Sequence, residues 1–199
     1  AYAEFMIEVG FKRGTASPCI FYHEDRELRV VIHGDDFTTL GWDKELDWFQ
    51  RQVGKRFEYK HRGRVGPGVH HDKSIRILNR IVEWKEEGIA YEADQRHAEI
   101  ILEDLGLTGD NAKAVNTPGR KLHDDSGEGV ALSHDMARRY RGMVARANYL
   151  AQDRSDIQYA VKELSRTMSA PTQACWERLK RLGRYLVGRC RTIRSFPYQ

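Results

Sequence analysis

The sequence predicts an α+β fold in which an antiparallel-sheet region comes first and a helical region follows. Three observations predict it. Apolar residues run or alternate in short stretches at 28–40 and 74–93, each broken by turn residues. From Ser133 onward they recur three and four apart, as on the buried face of a helix. The charge divides the same way: from Arg120 onward, 16 Lys and Arg stand against 8 Asp and Glu, while the residues before it hold 17 against 21. An acidic first part and a basic second part suit a metal-and-phosphate site beside a polyanion-binding surface, or simply two solvated surfaces.

The elements of the first half follow in order. Residues 1–10 have helical spacing, with Tyr2, Phe5, Met6 and Val9 on one side and no cap in front, as in a helix continued from an upstream part. Thr15 to Pro18 is a loop, Cys19 to His23 a short strand, and Glu24 to Glu27 a charged turn. Leu28, Val30, Val31 and Ile32 make a β-branched apolar strand; Gly34-Asp35-Asp36 interrupts it, and Phe37 to Leu40 resumes it, which describes a hairpin. Asp43 is placed to cap a helix with Leu46, Phe49, Val53 and Phe57 facing the sheet. His61 to Lys73, with three glycines, a proline and three histidines, is the longest loop; adjacent His70 and His71 point different ways and do not make a zinc site.

In the second half, Ser74 to Trp84 and Ile89 to Ala93 read as two strands joined by Lys85 to Gly88. Asp94 caps a helix with Ala98, Ile101, Leu102 and Leu105 inward and Gly106 as its stop. Residues 112–129 are an irregular connector containing Pro118, with an acidic end, and mark the subdomain boundary. Three helices come next: one opened by Ser133, one by a Ser155/Gln158 capping box, and one by Pro171-Thr172. Arg138, Arg139, Arg141 and Arg146 lie on the outer face of the first, and Arg178, Lys180, Arg181, Arg184 and Arg189 interleave with the apolar stripe of the last. Thr192 to Tyr198 begins another strand.

Chemistry concentrates at Asp35-Asp36. Carboxylates on a rigid turn supply the hard oxygen ligands that Mg²⁺ or Mn²⁺ prefers, yet Asp after Gly is also ordinary turn chemistry. Arg154 and Asp156 read as helix-start residues, and Trp42, Trp48, Trp84 and Trp176 as core or half-buried anchors. The arginine faces fit phosphate contact or plain solvation. Cys19, Cys175 and Cys190 are odd in number and lack a Cys-x-x-Cys pair, which predicts a reducing, intracellular setting. No run reaches the roughly 20 apolar residues of a membrane span, and no secretory leader is read at Ala1.

Several blocks, in order, resemble the reverse transcriptase of copia-type retrotransposons. Gly10-Phe11 and Ser17 to Phe21 are similar to the segment before its catalytic hairpin, and Val31 to Asp36 to the hairpin itself. Tyr149 to Ile157 resembles a Y-L-A-x-x-R-P-D-I motif. Val115 to Pro118, Met168 to Thr172 and Arg184 to Gly188 resemble further blocks. His33 stands where that family has an aromatic residue, and Ser155 where it has proline.

The resemblance implies a right-hand polymerase fragment: residues 1–93 a partial palm, 94–132 a helix and connector, and 133–199 a helical thumb or connection. It implies RNA-directed DNA synthesis with two Mg²⁺ (or Mn²⁺) ions, Asp35 a direct ligand and Asp36 a supporting one. His33, Gly34 and Trp84 would lie near the primer end, and Arg138, Arg141, Arg178, Lys180, Arg181 and Arg184 on the nucleic-acid backbone. The implied partners are an RNA template, a DNA primer, deoxynucleoside triphosphates, and the upstream fingers and downstream ribonuclease H of a parent polyprotein. A third metal-binding aspartate and the fingers are expected upstream of Ala1, so the 199 residues are expected to be inactive alone. Alternatives are a non-catalytic nucleic-acid-binding remnant and, because Gly-Asp-Asp is its hairpin, an RNA-dependent RNA polymerase. Neither a cytoplasmic particle nor the nucleus is singled out.

Overall fold

Residues 2–109, 112–120 and 129–198 are described by a computed structural model of the chain. The chain folds as two compact units, Ala1–Arg62 and Gly63–Gln199. Among the described residues it is a mixed α/β protein with two four-stranded antiparallel sheets and six α-helices.

The first unit holds α1 (Tyr2–Glu8), β1 (Lys12–Arg13), β2 (Ile20–His23), β3 (Leu28–His33), β4 (Asp36–Leu40) and α2 (Asp43–Arg56), with sheet order β1-β2-β3-β4. Alternation works cleanly in β3: Leu28, Val30 and Ile32 are buried, and Arg29, Val31 and His33 are exposed. The buried set packs on Phe5 and Met6 of α1 and on Phe49 and Val53 of α2. Asp43 is the first residue of α2 and not its cap; Trp42 holds the cap position without a side-chain capping bond. The Asp43 and Glu45 charges still suit the positive end of the helix. Trp42 is no core anchor, being 73% exposed. A helix-start tryptophan flanked by Gly41 and Asp43 has left the sheet before it can be covered.

The second unit comprises β5 (Ser74–Ile77), β6 (Arg80–Lys85), β7 (Gly88–Glu92), α3 (Arg96–Asp104), α4 (His134–Ala151), α5 (Gln158–Ser165), α6 (Gln173–Gly188) and β8 (Ile193–Pro197). Its sheet runs β5-β6-β7-β8, so the last strand pairs with a strand from before all four helices. The stretch 74–84 is not one strand. Leu78 and Asn79 both take positive φ, 48° and 65°, and turn the chain between paired Ile77 and Arg80. That is the backbone pattern of a two-residue type I′ turn, with leucine in a place where sequence preference expects Asn or Gly. Strands β5 to β7 thus share a unit with the four helices that follow them.

Helices α3 to α6 share one core, in which Ile101, Tyr140, Val144, Ala147, Ile157, Leu179, Leu182 and Leu186 are fully buried. Ser133 caps α4 by accepting the Met136 N–H. Asp94 accepts the Arg96 N–H at 3.0 Å, and α3 ends with the Leu107 N–H bonded to the Leu102 carbonyl. The Ser155/Gln158 capping box does not form: Ile157 is the cap residue of α5, and the Gln158 amide donates instead to the Ala151 carbonyl at the end of α4. The acidic end of the 112–129 connector falls mostly outside the described residues.

Candidate functional site

The β3–β4 hairpin turns on two residues, Gly34 and Asp35, between the paired His33 and Asp36. Gly34 has φ 59° while Asp35 does not share the positive φ, the pattern of a type II′ turn with glycine first. Asp35 therefore sits in the turn, and Asp36 is already the first residue of β4. His33, Gly34, Asp35 and Asp36 are all exposed. Just behind them the ribbon is anchored, with Ile32 buried and Phe37 half-buried against the core.

Asp35 has one protein partner that sequence reasoning missed. The Tyr2 hydroxyl donates to Asp35 Oδ1 at 3.1 Å, and the Tyr2 ring packs edge-on to Phe37 and against Phe57. The hydrogen bond to Asp35, reinforced by its negative charge, raises the Tyr2 phenol above its ordinary value. Among the described residues, no other hydrogen bond reaches the Asp35 or Asp36 carboxylate. Both acids thus present oxygens to solvent from a fixed ribbon, which suits a hard divalent cation. They are two donors, however, and among the described residues no group of three or more His, Cys, Asp or Glu side chains is arranged to hold a metal ion. The pair fits as part of such a site.

In the second unit Trp84 is half-buried beneath Lys73, whose ammonium lies 4.8 Å from the ring centroid. The same ammonium donates to the carbonyls of Gly66, Pro67 and Gly68, which folds the long loop around itself. The basic helix residues separate into two groups. Arg138 and Arg184 are exposed with no ion-pair or hydrogen-bond partner for their side chains among the described residues. Lys180 donates to Glu177, Arg181 to Thr117 and Gly119, and Arg141 to the Met168 carbonyl. Arg178 is half-buried. Arg138, Arg139 and Arg146 line one cavity of about 400 Å³ together with Asp104 and Asp135.

The stretch 149–157 proves to be a junction. Asp153 accepts from Arg80 Nε at 2.7 Å and from the Tyr91 hydroxyl at 2.8 Å, which ties it to β6 and β7. Next to it, Arg154 is 1% exposed and grips Asp156 with two hydrogen bonds of 2.9 and 2.7 Å. Asp156 also accepts from Tyr185 of α6, and Arg154 donates to the Cys190 carbonyl. Burial pushes the Asp156 carboxyl up, but the bonds from Arg154 and Tyr185 outweigh it and hold the group below the usual carboxylate range. Arg154 and Asp156 are thus more than helix-start residues: they join the α4–α5 turn to α6.

Comparison with known proteins bears on what this arrangement belongs to. The chain is 51% identical over 191 residues to the retrovirus-related Pol polyprotein from transposon RE1 of Arabidopsis thaliana, covering 92% of this chain and 12% of that protein. Its homologues are retrovirus-related Pol polyproteins. The one from transposon RE2 of the same plant is 51% identical over 49 residues, 25% of this chain and 3% of that protein. No family model matches the chain, and no solved structure matches it significantly. The Pol-related segment therefore spans a small part of the proteins it resembles. Among its described residues, no helix is long and apolar enough to cross a membrane.

Proposed function

We propose that this chain is a retrotransposon-derived fragment of an RNA-directed DNA polymerase, carrying the catalytic hairpin of a palm and the helices that follow it. The observation that supports this most is the pair of exposed acids, Asp35 and Asp36, at a two-residue turn in a chain 51% identical to part of a Pol polyprotein. In this reading Asp35 and Asp36 would hold Mg²⁺ or Mn²⁺, with Asp35 the direct ligand. Bound metal would supply the positive charge that favours the primer 3′-oxygen as a nucleophile and steadies the departing pyrophosphate. The chain's own residues do the rest. Tyr2 fixes the direction of Asp35 through its hydrogen bond. Gly34 lets the turn close, and Ile32 and Phe37 keep the ribbon from moving.

His33 and Gly34 would neighbour the primer end. The basic residues Arg138, Arg141, Arg178, Lys180, Arg181 and Arg184 would meet RNA–DNA backbone, with Arg138 and Arg184 contributing most because their charges are not shared with the protein. Template, primer and deoxynucleoside triphosphates would be the substrates, and other domains of the parent polyprotein the partners. Two carboxylates bind a divalent ion weakly, so the 199 residues alone should not extend a primer.

Paramagnetic Mn²⁺ titration followed by nuclear magnetic resonance is the test. Amide signals of residues 34–37 should broaden first, and Asp35→Asn should abolish the preference. Uniform broadening across the first unit, or template-dependent extension by the isolated chain that Asp35→Asn leaves intact, would sink the reading.

A further inference from the structure

A second cavity, of about 380 Å³, opens where the α4–α5 turn meets the chain leaving α6, and Ser155, Asp156, Arg189, Arg191, Thr192 and Arg194 line it. Three guanidinium groups around one cavity repel one another, so their neutralisation is informative. Arg191 is accounted for: its Nε and Nη2 donate to both oxygens of Glu92, at 2.6 and 2.8 Å. The one carboxylate in the wall, Asp156, is also spoken for, since Arg154 binds both of its oxygens and Tyr185 one of them. Arg189 and Arg194 are left. Neither has a carboxylate partner among the described residues; Arg189 rests over the Tyr185 ring, 5.4 Å from its centroid.

The walls are held by bonds within the protein and not by the cavity's contents. Arg154 is inaccessible, Tyr185 is buried, and the Glu92–Arg191 pair fixes the chain between α6 and β8. Arg189 and Arg194, which have no carboxylate partner among the described residues, and the hydroxyl-bearing Ser155 and Thr192 therefore line a space whose walls the protein itself holds. Guanidinium forks and hydroxyl donors together match the several acceptor oxygens of a phosphate. The space would hold roughly a dozen waters, more than a lone oxyanion fills, and lies near the lower end of small-ligand sites.

We infer that this cavity binds a phosphodiester of a nucleic-acid strand, with Arg189 and Arg194 as the ligand-contacting residues and Ser155 as a supporting donor. Of the basic residues of the last helix the site takes Arg189, at its end, and not Arg178, Lys180, Arg181 or Arg184, and it rests on the polymerase-fragment reading only for the source of the phosphate. It requires neither metal at the hairpin nor any catalytic activity.

The test uses the full 199-residue chain and a fluorescent single-stranded oligonucleotide, with anisotropy followed across a salt series. Arg189→Gln with Arg194→Gln should weaken binding by about tenfold or more at low salt. It should also reduce the slope of log affinity against log salt by about 0.7, the value for one phosphate on a single strand. A control removing two charges from α2, Lys44→Gln with Arg51→Gln, should leave both quantities close to wild type. Unchanged affinity in the first variant, an equal loss in the control, or no binding by the wild-type chain overturns the inference. Failure of the hairpin reading would register separately, in the Mn²⁺ titration, and would not move these curves.

Discussion

Arg154 and Asp156, two residues apart, form a two-pronged ion pair whose cation is wholly buried and whose anion also receives the Tyr185 hydroxyl. With its cation buried, the pair contributes less than its Coulomb attraction suggests, because Arg154 has lost its water, but removing Asp156 strands that buried charge. Asp156→Ala should therefore cost about 3–5 kcal/mol in the stability of the second unit. Replacing both, Arg154→Met with Asp156→Leu, should recover most of that loss. Urea unfolding with a probe in the second unit measures it; a loss well below about 1 kcal/mol in Asp156→Ala would show that the junction is ornamental.

Acid should loosen the same junction. The Asp156 carboxyl lies below its ordinary 3.8, and Glu92, lowered chiefly by the bond from Arg191, lies below 4.5. A depressed value in the folded state means that the folded form holds its proton less firmly than the unfolded chain. The stabilisation is complete above the ordinary values and disappears as pH falls through the depressed ones. Unfolding measured over descending pH should show this loss, and Glu92→Gln with Arg191→Gln should flatten part of it.

Alkali should act through Tyr91. Burial, then the hydrogen bond to Asp153, pushes its phenol from 10.0 up to about 12. The neutral phenol is favoured in the fold, so its contribution is intact below 10.0 and is lost as pH rises from there towards 12. At neutral pH, Tyr91→Phe should cost about 1 kcal/mol, the usual net worth of a hydrogen bond. The difference from wild type should shrink above pH 10.0. A gap that stays constant with pH would place the phenol outside the linkage.

At the hairpin, Asp35→Asn should bring the Tyr2 phenol back towards 10.0, because the charge and the acceptor that raise it are both altered. Titration of the Tyr2 ring signals reads this directly. Gly34→Val meets no neighbour within 4 Å, yet demands φ 59° of a β-branched residue. The expected cost is about 1–2 kcal/mol from the backbone alone, visible as faster amide exchange in β3 and β4.

Local rules carried much of the fold into view. Leu28, Val30 and Ile32 declared a strand by type, and the 136–150 stripe declared a helix by spacing. The rest depended on contacts between distant residues. The Leu78-Asn79 turn hides inside an apolar run because leucine is an unusual occupant of positive φ. Ser155 and Gln158 have the right spacing for a cap, but the buried Arg154 pair commands the local backbone first. Asp35 and Asp36 were legible as a turn pair from three adjacent letters. Their contact with Tyr2, like that of Asp153 with Arg80 and Tyr91, joins residues far apart in the chain and leaves no local trace.

The pairing of Glu92 with Ile193 makes every helix of the second unit an insertion between neighbouring strands. Synthesis from the amino end therefore leaves β7 bare-edged until almost the whole unit has emerged, and the sheet is completed last. Gly88 shows how closely the late strand must come: a methyl group there would lie 2.2 Å from the Phe196 carbonyl oxygen. A chain cut short within α6 would carry that vacant edge permanently, ready to pair with another copy of itself.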